Sequence, residues 1–210
     1  ISAFISSWIA YGSRVQIIKT LNKIHQEFLE SPTNYIKEKK YQHYQNQEQC
    51  LYRFYQEKDF FQLCETLHTI FFKENFSCLE DKIQSLVCQK PTAIEVLEAI
   101  TKIFPNQKGI PQNTKSACKR LCLFLRWMIR KNSEVDFGIW NILQEKDLII
   151  PLDTHVFRIS KQLSLTNRKQ ADMLSAIQIT EKLKITFPDD PLLGDYALFG
   201  YGVKHQEKTK

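Results

Sequence analysis

Glycine is scarce in this chain, with six residues among 210. Tight turns and β-bulges depend on glycine, so the composition is a poor fit to a many-stranded sheet. Apolar residues instead recur every three or four positions along most of the chain, which is the spacing of a helix with one buried face. No internal repeat or low-complexity tract stands out. These observations predict an all-α fold.

Closely spaced cysteine pairs are also missing. None of the six cysteines forms a C-x-x-C motif with another, so the sequence offers neither a disulfide framework nor a cysteine metal site. We expect small buried thiols at Cys118 and Cys122, one helical turn apart. Free thiols suit a reducing cytoplasm, and we expect no metal and no other cofactor. No apolar run reaches the length of a membrane span, so we expect no membrane segment.

Negative charge is absent from residues 113–131, which hold six cations. The net charge of the whole chain, +6, is only a mild bias toward polyanions, but in this segment like charges repel along one predicted helix, 116–131. An anionic partner would relieve that repulsion, and nucleic-acid phosphate is a common one. The candidate phosphate contacts are Lys115, Arg120, Arg126 and Arg130. Because these four residues spread around the helix, not all of them can face the same partner.

A fixed acidic residue follows the apolar run 148–150. Pro151 sets one turn, and Asp153 then stands where a new helix begins, a position in which its carboxylate can accept the first backbone N–H groups. The helix that follows has a half-buried pattern, with Val156 and Ile159 on one face. One interpretation is that Asp153 is only an N-cap. The other is that the proline and the helix hold a recessed carboxylate for chemistry.

Residues 152–158 read Leu-Asp-Thr-His-Val-Phe-Arg and resemble the Val-Asp-Thr-His-Val/Ile-Phe-Arg segment of the helix-hairpin-helix DNA glycosylase superfamily, which includes endonuclease III and 8-oxoguanine DNA glycosylase. The aspartate of that family is the catalytic carboxylate, so the resemblance implies this role for Asp153. Residues 119–126, Lys-Arg-Leu-Cys-Leu-Phe-Leu-Arg, are similar to the Lys-x-x-x-x-Phe-Leu-Arg pattern of the archaeal 8-oxoguanine glycosylase branch. The resemblance therefore implies that Lys119 is the nucleophile of a bifunctional glycosylase.

The two residue types suit that reaction. Cleavage of an N-glycosidic bond gives the sugar oxocarbenium character, which a nearby carboxylate stabilises. A lysine amine that attacks the anomeric carbon forms a Schiff base, from which β-elimination cleaves the strand. Such an amine must be partly unprotonated, and burial or neighbouring cations favour that state. Lys119 adjoins Arg120 on a helix with a large apolar face. The alternative interpretation of Lys119 is a solvated surface lysine.

The sequence departs from the family pattern in three ways. The family reads Leu-Pro-Gly-x-Gly before the lysine, whereas residues 109–117 have a glycine at neither hairpin position, so the backbone contact to phosphate that those glycines permit is not expected. Lys119 and Asp153 are 34 residues apart, longer than the usual interval, and we interpret the excess as a short inserted helix at 136–143. The closely spaced cysteines that hold the iron–sulfur cluster of endonuclease III do not occur in these residues.

Three other stretches are similar to a bacterial family of uncharacterised proteins related to these glycosylases. They are residues 124–130, 151–156 and 195–200. That likeness implies the fold more directly than the activity.

We therefore expect an all-α, two-lobed helical fold of the helix-hairpin-helix glycosylase type, as one domain over residues 1–210. One lobe would span about 15–110 and the other about 111–160, with a cleft between them. Terminal helices at 1–12 and 168–203 would complete the packing. Within the first lobe, the aromatic-rich stretch 50–72 predicts two helices, and no segment predicts a strand.

The expected function is base-excision DNA repair by a DNA glycosylase, with or without AP-lyase activity, that removes a damaged base such as an oxidised one. The expected partner is duplex DNA, bound by a monomer in the cytoplasm at the nucleoid. A flipped base needs an aromatic pocket, for which Trp127, Trp140 and Phe157 are candidates.

One alternative is a non-catalytic nucleic-acid-binding module of the same fold, which the missing hairpin glycines favour, whereas the retention of Lys119 and Asp153 favours the enzyme. A second alternative is a helical protein-interaction domain with no nucleic-acid role.

Overall fold

The computed structural model describes residues 1–28, 31–131 and 133–204. Over these residues the chain is mostly helical, which confirms the predicted all-α class. The α-helices are α1 (Ser2–Ile9), α2 (Arg14–Glu27), α3 (Pro32–Lys37), α4 (Glu57–His68), α5 (Leu79–Gln84), α6 (Ala93–Ile103), α7 (Lys119–Ile129), α8 (Thr154–Gln162), α9 (Met173–Thr186) and α10 (Leu193–Lys204). Short 3₁₀ turns lie at Lys40–Tyr44 and Glu145–Asp147, and a π-helical turn at Thr69–Lys73 extends α4. Among the described residues, no helix combines the length and the apolar character that crossing a membrane requires.

A two-stranded antiparallel hairpin interrupts the helices. Its strands are β1 (Cys50–Tyr52) and β2 (Tyr55–Gln56). The prediction of two helices and no strand over 50–72 was therefore wrong for its first part. Tyr52 and Tyr55 are paired across the hairpin and both are buried. Their three-residue spacing imitates a helical period, although here it spans a two-residue β-turn.

The first compact unit comprises Ile1–Gln89 and Ala99–Gln112. Aromatic rings form much of its core: Phe4 stacks on Phe104 with ring centroids 4.6 Å apart, and Trp8 stacks on Tyr55 at 4.1 Å. The indole N–H of Trp8 donates to the Lys108 carbonyl at 2.7 Å, so this buried polar group is satisfied. Stacking and hydrogen bonding together anchor α1, which belongs to this unit.

The second compact unit comprises Lys90–Glu98 and the chain from Asn113 onward. Within it α8 and α10 approach closely at Gly202, where an added Cβ would lie 3.1 Å from the His155 Cβ and 3.2 Å from the Ile159 Cγ1. Arg158 Nη2 donates to the Gly202 carbonyl at 2.8 Å. The small residue therefore permits the helix contact, and the hydrogen bond fixes its register.

Two predictions around α7 need correction. The helix expected from residue 116 begins at Lys119, because Cys118 has left-handed backbone angles (φ 46°, ψ 35°) that end any helix entering from its N-terminal side. The short helix expected at 136–143 is not formed in the described structure. Instead, the backbone N–H of Trp140 donates to the Met128 carbonyl at 2.8 Å, so this segment satisfies carbonyls at the end of α7.

Candidate functional site

A lysine and an aspartate that are 34 residues apart in sequence meet in the second unit. The Lys119 Nζ lies 3.3 Å from the Asp153 Oδ2. The aspartate side chain is 11% exposed and the lysine side chain 38%, so the carboxylate is recessed while the amine reaches solvent. The structure thus brings together the two residues that the sequence singled out for chemistry.

Asp153 is also the N-cap of α8. Its Oδ1 accepts the Val156 N–H at 2.8 Å, while its Oδ2 faces Lys119. Just before the cap, Ile150 is fully buried and its N–H donates to the Thr180 hydroxyl at 3.0 Å. Because both the helix start and the preceding backbone are held, the carboxylate has a fixed position. Capping and pairing use different oxygens, so neither excludes the other.

Lys119 is the first residue of α7, and a packed turn sets where it begins. Cys118 and Cys122 are buried, as their spacing predicts, and burial raises the pKa of both thiols. A thiol with a raised pKa is a poor nucleophile near neutral pH, so we assign no chemistry to these cysteines. Their buried side chains pack at the start of α7 instead. Upstream, Ser116 pairs with Asp172 in an isolated antiparallel bridge.

Two of the cations predicted to contact phosphate lie in the interior. Arg126 and Arg130 are 3% and 4% exposed. Arg126 Nη1 donates to Asp195 Oδ2 at 2.5 Å, and Arg130 donates to Asp190 at 2.6 Å and to Asp136 at 3.0 Å. Since carboxylates of the same unit neutralise both guanidinium groups, the prediction of phosphate contacts at Arg126 and Arg130 was wrong. Segment 113–131 has no acidic residue, but its partners come from later in the chain.

Asp195 on α10 is a residue of the site that the sequence analysis did not identify. Burial raises the pKa of its carboxyl to about 6; Arg126 and Lys119 oppose this rise, and Asp153 adds to it. Because the charges of Lys119 and Asp153 both influence this pKa, the Asp195 carboxylate is close enough to interact electrostatically with each of them. A signal was present in the sequence, because Asp195 is an acidic residue inside an apolar stretch, and a buried carboxylate requires a cationic partner.

The remaining predicted polar contacts lie nearer the surface. Lys115 is exposed, whereas Arg120 is half-buried. The Lys115 carbonyl accepts the Met173 N–H at 3.3 Å, which joins the segment before α7 to the start of α9. Lys115 therefore presents its ammonium group to solvent from an anchored backbone.

The three aromatic pocket candidates differ in burial. Trp140 is buried edge-on against Phe124, with centroids 5.0 Å apart, so the prediction that it lines a base pocket was wrong. Trp127 and Phe157 are half-buried. Instead, α10 brings two exposed rings to this region. Those rings are Tyr196, whose centroid lies 4.0 Å from the Arg126 guanidinium carbon, and Phe199, which meets His155 edge-on at 6.1 Å.

In the part of the chain that the structure describes, no group of three or more His, Cys, Asp or Glu side chains is arranged to hold a metal ion. The chemical groups that the described residues bring to the site are the Lys119 amine, the carboxylates and the aromatic rings nearby.

Comparison with known proteins gives one family. Residues 1–204 match the model of a family described as Protein of unknown function (DUF2400). No curated protein and no solved structure gives a significant match to the chain. The family match spans both compact units and includes Lys119, Asp153 and Asp195.

Proposed function

The chain belongs to the DUF2400 family, and from the chemistry of its site we propose that it is a DNA repair glycosylase that excises a damaged base and also cleaves abasic DNA. One observation carries the proposal, which is the 3.3 Å separation between the Lys119 amine and the recessed Asp153 carboxylate. Schiff-base catalysis on a sugar requires a nucleophilic amine beside a group that accepts its proton. The resemblance of residues 119–126 and 152–158 to the helix-hairpin-helix superfamily supports the same reaction and, with it, the two-lobed fold of that superfamily.

In the proposed reaction the unprotonated Lys119 Nζ attacks C1′ of the damaged nucleotide. The C1′–N bond breaks, and its electron pair leaves with the base. Asp153 Oδ2 accepts one proton from the amine as the N–C1′ bond forms and passes it to the departing base, so the carboxylate is ionised again and protons and charge balance. The negative carboxylate also stabilises the oxocarbenium character of the sugar.

The second half of the reaction follows from the covalent bond. The C1′–O4′ bond opens as O4′ takes up the remaining N–H proton, and a C1′=N Schiff base forms between the sugar and Lys119. A C2′ proton then passes to the Asp153 carboxylate or to water, the C3′–O bond breaks, and the 3′ phosphate leaves with its electron pair, which cleaves the strand by β-elimination. Hydrolysis of the imine releases the lysine for another turnover.

The surroundings of the pair support a nucleotide as the substrate. The buried pair of Arg126 with Asp195 fixes α10 against α7. We propose that Tyr196 and Phe199, both exposed on α10, provide the stacking surface for the flipped base in place of Trp140.

Duplex DNA is the proposed partner of a monomeric protein at the nucleoid. Of the four predicted phosphate contacts, Lys115 and Arg120 remain in the proposal because neither is buried in the interior. Their contribution to binding should weaken as salt rises.

Borohydride trapping tests this proposal. Wild type, Lys119→Gln and Lys182→Gln are incubated with duplexes that carry an abasic site or 8-oxoguanine, and sodium borohydride then reduces any Schiff base to a stable adduct. Wild type and Lys182→Gln should yield a covalent protein–DNA product, while Lys119→Gln should yield none. Lys182→Gln is the matched control because it removes an exposed lysine of the same unit that has no part in the proposed site.

The other outcomes assign other functions. Base release without an adduct would indicate a monofunctional glycosylase that depends on Asp153. Binding of both duplexes with neither adduct nor base release would overturn the enzymatic proposal in favour of a non-catalytic nucleic-acid-binding module.

A further inference from the structure

The tip of the β1–β2 hairpin presents an aromatic ring to solvent. Arg53 and Phe54 form the two-residue turn between the paired residues Tyr52 and Tyr55. Phe54 is 69% exposed, although the tyrosines on either side of the turn are buried. An apolar ring exposed at the tip of a turn is available for contact with a partner.

The backbone of the turn is strained. Arg53 has φ 52°, a left-handed conformation that glycine, asparagine or aspartate usually supplies at the first position of a two-residue hairpin turn. Strain of this kind persists where surrounding contacts hold the backbone in place. Here the Tyr11 hydroxyl accepts the Phe54 N–H at 3.4 Å, and the Tyr52 hydroxyl donates to the Tyr11 carbonyl.

The side chains at the tip contact one another and so hold one another in place. The Arg53 guanidinium carbon lies 5.4 Å from the ring centroid of Tyr11 and 5.7 Å from that of Phe54. The two rings are 13° from parallel, with centroids 6.4 Å apart. Arg53 also lies over Gly12, where an added Cβ would be 2.6 Å from its Nη1. The exposed ring therefore has a preset orientation, which lowers the entropy lost when it contacts a partner.

The charge around the tip is positive. Residues 1–26 and 49–56 contain no Asp or Glu, and the exposed Arg14 begins α2 two residues after Gly12. Phe54 is the exposed large apolar side chain of the turn itself, while Val15 and Ile18 are exposed on α2, which also carries the exposed cations Arg14, Lys19 and Lys23. A flat ring beside a guanidinium group matches a nucleobase beside a phosphate, and cations in segments without acidic residues favour a polyanion.

We infer that Arg53 and Phe54 form a nucleic-acid contact in which Phe54 stacks on an unpaired or exposed base and Arg53 binds the adjacent phosphate. The choice of DNA as the nucleic acid rests on the proposed function. The contact itself belongs to the first unit and uses no residue of the Lys119 site.

The test is a titration of a fluorescein-labelled duplex that contains a tetrahydrofuran abasic analogue, which cannot form a Schiff base, followed by fluorescence anisotropy. The full chain is compared with Phe54→Ala, Phe54→Leu and Phe54→Trp. Alanine should weaken binding about tenfold, as expected for one stacked base, and tryptophan should restore it. Leucine keeps apolar area but has no π-face, so Phe54→Leu should weaken binding as much as Phe54→Ala does. The matched control is Leu86→Ala, which truncates another apolar side chain of the same unit that is 48% exposed.

Salt dependence separates the two side chains. Phe54→Ala should leave the slope of log Kd against log salt unchanged, whereas Arg53→Ala should reduce its magnitude by about one because one phosphate contact is lost. Each variant is also melted thermally, so that any loss of binding is read only from folded protein.

Three results would overturn the inference: wild type that does not bind the duplex, Phe54→Ala that binds as tightly as wild type, or Phe54→Leu that retains full affinity. The last result would show that the contact with the duplex depends on apolar area and not on ring stacking. Borohydride trapping is independent of this titration. If an adduct is trapped but Phe54→Ala does not change binding, the proposed enzyme stands and the Phe54 contact is wrong. If Phe54→Ala weakens binding but no adduct is trapped, the protein binds DNA without the proposed catalysis.

Discussion

The carboxylate of Asp153 serves two neighbours through two oxygens. Oδ1 caps α8 at the Val156 N–H, and Oδ2 faces the Lys119 amine. Asparagine is as good an N-cap as aspartate, but it cannot carry the negative charge that the proposed chemistry needs. Substitution at this one residue can therefore separate helix stability from catalysis.

Asp153→Asn should leave the free energy of unfolding within about 1 kcal/mol of wild type, because an ion pair with a partly exposed lysine contributes little. Asp153→Ala also removes the cap and should cost about 1 kcal/mol more. Both variants should lower the yield of trapped adduct about 100-fold, since the charge is lost in each. Urea unfolding and borohydride trapping on the same preparations provide the measurements. Full trapping by Asp153→Asn would mean that the residue is only a cap.

The cations of helix α7 and its C-cap have two kinds of surroundings. Lys119, in the first turn, reaches solvent, while Arg126 and the C-cap residue Arg130 point inward and pair with carboxylates. Asp136 is fully buried and contacts both arginines, with Arg130 Nη1 at 3.0 Å and Arg126 Nε at 3.5 Å. A helix with charges of one sign is stable here because acidic residues from other segments neutralise it.

Arg130→Met should destabilise the protein by about 3–5 kcal/mol, because it leaves the buried Asp136 with only its longer contact to Arg126. Lys115→Met, which removes an exposed cation just before the same helix, should change the free energy of unfolding by less than about 0.5 kcal/mol. Chemical denaturation of both variants measures the difference. Equal small effects would contradict the role assigned to the buried network.

The range of each interaction decides how much of this arrangement the sequence could predict. The cap on α8 joins residues three positions apart, so local spacing was sufficient to place Asp153. Asp195, which pairs with Arg126, and Asp190, which pairs with Arg130, lie 69 and 60 residues further along, and no local pattern predicts which arginine each of them meets. The hairpin was missed for a different reason, because the spacing of Tyr52 and Tyr55 fits a helix as well as a two-residue turn.

The pairing of Lys119 with Asp153 came from chemical reasoning and from the family resemblance, not from periodicity. Helix patterns predicted that each residue lies at or near a helix start, but they could not give a distance between segments 34 residues apart. Asp195, the third ionisable group of the site, stands in an apolar stretch of the sequence, but its burial and its neighbours are tertiary properties that this signal alone does not give.

For the molecule as a whole, Asp195 makes the free energy of unfolding depend on pH. Its pKa rises from 3.8 to about 6 on folding, chiefly through burial, so the folded state holds the proton more tightly than the unfolded chain. The stability that this group contributes is therefore fully present below about pH 4 and is lost as pH rises through 6. Asp172 acts in the opposite direction at lower pH, because its hydrogen bond with Arg168 lowers the pKa to about 2.

Asp195→Asn should remove the first effect while keeping an oxygen acceptor for Arg126. Relative to wild type, the free energy of unfolding of this variant should rise by about 1–3 kcal/mol between pH 4 and pH 7. Urea denaturation at half-unit pH intervals measures the difference, with the exposed Asp189→Asn as a control for the loss of one negative charge. A flat difference curve would mean that Asp195 titrates alike in the folded and unfolded states.

Two helices begin where the proposed nucleophile and its partner meet, since Lys119 opens α7 and Asp153 caps α8. The aligned peptide dipoles of each helix act as about half a positive elementary charge at its first turn. An arriving phosphate therefore meets a favourable field that belongs to the backbone and survives replacement of the lysine. Lys119→Gln should for this reason still attract DNA, so the missing adduct in that variant can be attributed to the lost amine and not to lost binding.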